Sequence, residues 1–273
     1  MSYQEILYGV KDGVATITLN RPERLNAWTE LMEQEFNQAV LTANADQQVR
    51  VILLTGAGRG FCAGADMSLL SAAAEAGTTV SGHRRSDVDF PEGAPADTRK
   101  RYSWLLTIPK PIVAAINGAA VGLGFVIPLY CDLRIASSTA KFCTIFAKRG
   151  LIAEYGMAWL LPRMVGLSNA MELLMTAKMI DAGEAQRLGL VSRVLPEENF
   201  AADAQAFAVE LAQTLSPRSL RVMKRQIYQG LRQSIGESID DAYDEMLASI
   251  ACDDFKEGVR HFLEKRAPVF KGN

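Results

Sequence analysis

The chain has 273 residues, more than a usual single domain and fewer than two full ones, which predicts one domain with an appendage. Its 49% hydrophobic and 22% charged residues suffice for a sizeable core. With 29 Lys+Arg against 31 Asp+Glu the net charge is −2, which excludes a global basic field for nucleic acid or an anionic membrane. Cys62, Cys131, Cys143 and Cys252 show no CxxC spacing, and only His83 and His261 could join them at a metal. No metal is therefore expected, and the thiols suit a reduced, cytoplasmic setting. The N-terminus lacks the apolar core of a signal peptide, and no apolar run reaches membrane-spanning length.

In chain order, Ile6 to Val10 and Val14 to Leu19 read as strands joined by Lys11-Asp12-Gly13, a hairpin signal. Asn20 to Asn26 is a loop by its proline and polar content. Thr29 is a plausible N-cap for a helix in which Leu31, Met32, Phe36, Val40 and Leu41 recur at helical spacing. Val49 to Thr55 reads as a buried strand. The passage Gly56 to Asp66, GAGRGFCAGAD, follows it directly and invites a dinucleotide reading. Phe61 stands where the third glycine of that fingerprint belongs, and a hairpin precedes the strand, so the reading is set aside. Ser71 to Asp97, rich in small and polar residues, predicts a long surface excursion containing an exposed, idle His83. Arg99-Lys100-Arg101, which ends it, reads as a solvated helix face.

Pro111 to Asp132 organises the rest. Ile112 to Ile116 is an apolar run suited to a strand buried on both faces, and Asn117-Gly118 breaks it. Gly122 and Gly124 then flank Leu123 ahead of an apolar segment of helical length. A strand, a glycine-rich turn and a helix can aim backbone N–H groups at developing negative charge. The same glycines serve equally for tight strand–helix packing. Leu133 to Ala136 and Lys141 to Thr144 read as short strands, and Met157 to Met164 as a short helix despite Pro162. Glu154 is the lone carboxylate in the passage before that helix, where a helix dipole would favour it. Asp181 to Gly189 reads as a capped helix and Leu190 to Val194 as a strand. From Phe200 onward the sequence is helical, with a boundary at Pro217, and these helices need a surface to pack on.

NRPERLNA (Asn20–Ala27), GRGFCAGAD (Gly58–Asp66), IPKPIVAAINGAAVGLGF (Ile108–Phe125), CDLRIAS (Cys131–Ser137) and DAGEAQRLGLV (Asp181–Val191) occur together in this order. In these motifs, over almost its whole length, the chain resembles the crotonase, or enoyl-CoA hydratase/isomerase, superfamily. The resemblance implies an α/β fold, a spiral of ββα units over residues 1–199, and a C-terminal helical oligomerisation region over 200–273. It implies a homotrimer or a dimer of trimers. Coenzyme A enters as part of a substrate thioester, with no separate cofactor.

Carried over by position, the N–H groups of Ala65 and Leu123 would stabilise the enolate of the thioester. One such donor is typically worth ~3–4 kcal/mol in the transition state. The same resemblance puts Arg24 near the CoA phosphates, with Leu25 and Ala27 beside it, and Ala63, Asp66 and Met67 around the adenine. For Asp66, capping or bracing the loop is an equal reading. Phe262 and Lys265 would reach the CoA of a neighbouring subunit. The hydratases of the family use two glutamates, but the matching positions here are Val126 and Phe146, which would line an apolar acyl pocket. Glu154 matches the single acid of the isomerase branch, in Gly150-Leu151-Ile152-Ala153-Glu154-Tyr155-Gly156. The expected reaction is a shift of an enoyl-CoA double bond. Hydration, or another lyase reaction of the family, with Glu154 as sole acid–base is the alternative, and a non-enzymatic RNA-binding relative a weaker one that the charge argues against.

Overall fold

The computed structural model describes residues 3–77 and 96–273. His83 and the middle of the expected surface excursion lie outside the described residues. The chain opens with a hairpin of β1 (Ile6–Lys11) and β2 (Val14–Leu19), turned by Asp12 and Gly13 at φ 52° and 81°. Positive φ at both central residues is what the right-handed twist of the flanking strands requires. Four further strands complete a sheet in the order β1-β2-β3-β5-β7-β10, parallel from β2 onward. They are β3 (Val51–Gly56), β5 (Ile112–Ile116), β7 (Leu133–Ser137) and β10 (Arg193–Leu195). A second sheet runs β4-β6-β8-β9, from β4 (Gly60–Cys62), β6 (Ala119–Val121), β8 (Lys141–Cys143) and β9 (Ile180–Asp181). The pairs β3/β4, β5/β6 and β7/β8 thus each send one strand to the large sheet and the next to the small one. Helices follow these pairs: α2 (Met67–Ala76), α3 (Leu123–Leu129), α4 (Met157–Val165) and α5 (Leu167–Thr176).

Both faces of the large sheet are covered, which explains why its strands read as continuous apolar runs. One face packs on α1 (Glu30–Ala45), whose Met32, Phe36, Ala39, Val40 and Ala43 are fully buried with Ile17, Leu19, Ile52 and Leu54. Thr29 caps α1 by accepting the Met32 N–H at 3.0 Å, as its sequence position predicts. The opposite face, Val14, Val51, Leu53, Val113, Ala115 and Ile135, packs on α7 (Phe200–Thr214). Phe200, Ala204, Ala208 and Ala212 recur every four residues along α7, and the three small alanines let it lie close to the sheet. The first C-terminal helix therefore packs on this chain's own sheet. Between β9 and β10 runs the short α6 (Ala182–Arg187), capped as expected by Asp181, whose Oδ1 accepts the Glu184 N–H at 2.8 Å.

Three expectations need correction. The helix α2 continues to Ala76, so the excursion read from Ser71 begins later. The strand expected at Leu190 starts only at Arg193, because Gly189 at φ 81° turns the chain and Leu190 N–H is bonded back to Ala185. Arg101 belongs to no solvated helix face. It follows a 3-10 turn and is partly buried in an ion pair described below.

The last helices are α8 (Pro217–Gly230), α9 (Ile235–Ala251) and α10 (Asp253–Glu264). Pro217 occupies the first turn of α8, where its missing N–H costs nothing, and Ser216 caps it. Lys224 on α8 is buried and reaches Asp132 Oδ2 at 2.7 Å, just beyond α3. Asp132 also accepts from the Tyr228 hydroxyl at 3.0 Å and the Ile112 N–H at 2.7 Å. Arg50, entering β3, donates to the carbonyls of Ala212 and Phe270. Beyond these ties α8 to α10 leave Ile227, Ile235, Leu247 and Phe262 largely exposed. Removing one partner of a buried ion pair strands the other charge. Lys224→Met is thus expected to lower stability by about 3 kcal/mol in urea denaturation, and a loss under about 1 kcal/mol would mean the pair does not anchor α8.

Candidate active site

The loop before α1 and the loop after β4 run side by side. Asn26 is completely buried at φ 55°, and its side chain donates to the carbonyls of Ala57 and Gly60 at 2.9 and 2.8 Å. Its amide oxygen accepts the Arg21 N–H at 2.9 Å, so one side chain closes the 21–26 loop and ties it to β4. Next along, Ala63 N–H is bonded to Leu25, Trp28 N–H to Gly64, and Asp66 N–H to Trp28, at 2.7–2.9 Å. This ladder uses the groups on either side of Ala65 and turns the Ala65 N–H away from Trp28. Gly64 permits the turn at φ 103°.

Opposite Gly64 stands Gly122, at φ 55° and ψ −117°, which starts α3. A Cβ on Gly64 would lie 3.0 Å from the Val121 carbonyl and 3.8 Å from Gly122 Cα, so the two turns face each other closely. Gly122 N–H is bonded to Cys143, and its carbonyl accepts from Phe125 and Val126. Among the described residues neither the Ala65 nor the Leu123 N–H has a hydrogen-bond partner. Ile145, β-branched yet left-handed at φ 62°, packs beside Gly122 and adds strain to this junction.

Glu154 lies in a tight turn followed by Tyr155 at φ 50° and Gly156 at φ 69°, and α4 starts at the next residue. Its carbonyl accepts the Met157 N–H at 3.0 Å, but its carboxylate caps nothing and has no hydrogen-bond partner among the described residues. The group is half-buried. Burial pushes its carboxyl above the ordinary glutamate range, and the nearby Arg101 guanidinium opposes that rise. Arg101 grips Glu33 with Nε and Nη2 at 2.7 and 2.5 Å and donates from Nη1 to the Tyr155 hydroxyl at 3.2 Å. Beyond the turn lies a mostly apolar cavity of about 1200 Å³, lined by Tyr102, Tyr130, Tyr155, Trp159 and Leu160 and roofed by α8. Of the positions read as an acyl pocket, Val126 is fully buried inside α3 and Phe146 is 5% exposed, both within the main core.

The residues read as a CoA strip divide into two groups. Arg24 is exposed at the end of a 3-10 turn, Leu25 is left-handed at φ 50°, and Ala27 lies two residues on. They adjoin Ala63, Asp66 and the exposed Met67 through the paired loops. Asp66 caps α2 by accepting the Ser68 N–H at 3.1 Å and pairs with Arg21 at 2.9 Å, which holds its carboxyl below the usual range. Phe262, 76% exposed, and Lys265, at φ 53°, end α10, and no hydrogen bond or ion pair joins them to that strip among the described residues. Sequence reasoning missed the Glu33–Arg101–Tyr155 cluster, since its members are scattered and Arg101 sits in a basic run.

The family model described as enoyl-CoA hydratase/isomerase matches residues 9–273. A 1,2-epoxyphenylacetyl-CoA isomerase of Escherichia coli is 35% identical over 272 residues, covering 98% of either chain. The solved enoyl-CoA hydratase subunit I of Geobacillus kaustophilus superposes with a TM-score of 0.84 at 31% identity, covering 99% of both chains. That of the enoyl-CoA hydratase from Bacillus anthracis gives 0.82 at 30% identity, covering 99% of this chain and 100% of the other.

The turn at Leu123 depends on space that only glycine leaves. A Cβ on Gly124 would stand 2.0 Å from the Cys62 carbonyl oxygen, so Gly124→Ala forces α3 off β4. It should cost about 2–3 kcal/mol in denaturant melts. Gly183→Ala, whose Cβ would meet nothing nearer than 3.5 Å, serves as control and should be neutral or mildly stabilising. Equal melts for the two variants would contradict the packing described.

Proposed function

This chain belongs to the enoyl-CoA hydratase/isomerase, or crotonase, family, and within it we propose that the protein isomerises 3-enoyl-CoA to 2-enoyl-CoA thioesters with Glu154 as its single acid–base. The observation that carries the reading is Glu154 itself, a half-buried carboxylate with a raised pKa that caps no helix and engages no hydrogen bond among the described residues. In the reaction Glu154 removes a proton from C2, and the electron pair moves onto the thioester oxygen. The N–H groups of Ala65 and Leu123 stabilise that enolate, and both stand unpartnered at facing turns in support of this role. Glu154 then returns the proton at C4, so the double bond moves from C3–C4 to C2–C3 and the carboxylate is regenerated.

Hydration is the second reading, favoured by the likeness to the hydratases of Geobacillus kaustophilus and Bacillus anthracis. Against it, Val126 and Phe146 stand where the hydratases of the family hold their paired glutamates, and neither can orient a water. Their apolar burial keeps water from the double bond instead. CoA would lie along Arg24, Leu25, Ala27, Ala63, Asp66 and Met67, with Phe262 and Lys265 supplied by a neighbouring copy. The exposed apolar side chains of α8 to α10 support assembly into trimers or paired trimers.

Glu154→Gln should lower isomerisation of a 3-enoyl-CoA ~10²–10⁴-fold while thioester binding stays near normal. Because the base must be ionised, wild-type kcat/KM should rise with pH through an ionisation above the ordinary glutamate range, and that limb should vanish in the variant. Preserved turnover would end the isomerase reading. Light scattering at micromolar concentration should give at least three times the mass of one chain, and a stable monomer would refute the assembly.

A further inference from the structure

We propose that the partly buried Glu33–Arg101 ion pair is a positioning device holding the turn that carries Glu154 in fixed register with the segment that carries the Ala65 N–H. The inference rests on the isomerase reading above and adds to it the residues that set its geometry.

Glu33 sits in the first turn of α1 and is saturated with donors. It accepts Nε and Nη2 of Arg101 at 2.7 and 2.5 Å, the Tyr102 hydroxyl at 3.0 Å and Trp28 Nε1 at 3.1 Å. On one side the cluster therefore ends at Trp28, whose backbone is paired with Gly64 and Asp66 on either side of Ala65. On the other side it ends at Tyr155, the residue after Glu154. Arg101 Nη1 donates to the Tyr155 hydroxyl at 3.2 Å, and its guanidinium stands 5.2 Å from the ring centre. The Tyr102 ring meets Tyr155 edge-on at 5.3 Å. From a different direction the Tyr130 hydroxyl, at the end of α3, donates to the Tyr155 carbonyl at 2.5 Å.

These contacts have a job that packing alone does not explain. Tyr155 is left-handed at φ 50°, a backbone state that a tyrosine holds only when its surroundings over-determine it. The turn has no cap or side-chain bond of its own from Glu154, so it is held through the Tyr155 hydroxyl and carbonyl. An arginine suits the task because its planar fork sets direction as well as distance, which a lysine cannot do. The groups facing Glu154 are Arg101 and Tyr155, with Glu33 behind them. Arg101 thus also places a fixed positive charge beside the acid–base group.

The test uses the full-length protein with a 3-enoyl-CoA, comparing Arg101→Lys, Arg101→Gln and Glu33→Gln. Each should lower kcat about ten- to a hundredfold with KM changed less than about twofold, as misplacement of a held group does. Arg101→Lys should not rescue, and in Arg101→Gln the rising limb of kcat/KM should move to higher pH, since the charge that favours ionised Glu154 is gone. A merely structural pair would lower the melting temperature and leave kcat and the limb in place, which overturns the proposal. Should these variants fail to fold, Tyr155→Phe keeps the ion pair and removes only its hydroxyl link. Unchanged kcat and limb in Tyr155→Phe would overturn it as well. Intact turnover in Glu154→Gln would bring down the underlying reaction and this inference with it, whereas loss there beside unaffected Arg101 and Glu33 variants would sink the positioning role alone.

Discussion

The backbone of residues 59–64 runs so close to that of residues 118–124 that Cβ atoms at Gly118 or Gly124 would come within 2.1 and 2.0 Å of the carbonyl oxygens of Arg59 and Cys62. Most of the architecture follows from this approach. It lets β4 and β6 pair as strands of three residues each and stacks the small sheet beside the large one. It also presses the N-terminus of α3 against the end of β4, so Gly64 and Gly122 meet face to face. The glycines at 118 and 124 are there for volume. Those at 64 and 122 are also there for their positive φ. A ring of ordinary side chains at these positions would separate the sheets and move both turns.

On the proposed reading the labour is divided between main chain and side chains. The stabilising groups are peptide N–H donors whose directions are set by strand pairing and glycine turns. The proton carrier is one side chain, on a turn held by a cluster of aromatic residues around a partly buried charge pair. This division explains how one family can include isomerases and hydratases on one fold. Val126 and Phe146, which the same reading sets beside the acyl group, are both buried in the main core.

Local chemistry was readable from the sequence, and distant pairing was not. The hairpin turn at Asp12-Gly13, the caps at Thr29 and Asp181, and the doubly buried strand at Ile112–Ile116 all follow from residue type and spacing. Of the two open readings of Gly122 and Gly124, the tight packing is seen directly, and the Leu123 N–H has no partner among the described residues. The small sheet was only partly legible, because strands of two or three residues carry no period. Arg101 was misread as solvated. Its partner Glu33 lies 68 residues away, and neither position looks unusual in its own neighbourhood. The CoA strip came from motif resemblance alone. Exposed Arg24 and Met67 have no internal signature that would separate a ligand contact from an ordinary surface residue.

The tether between Lys224 and Asp132 has a consequence for the order in which the chain assembles. Asp132 lies just past the end of α3, beyond Tyr130 and Cys131, yet its buried partner is 92 residues further on, and the carbonyls that receive Arg50 belong to Ala212 and Phe270. A ribosome adding about 5–20 residues per second leaves Asp132 waiting several seconds for its counter-charge. Until then its carboxylate must stay hydrated, and the sheet face that α7 covers stays open as well. Val51, Leu53 and Val113 thus find their cover, α7, only after every strand of the sheet has been made.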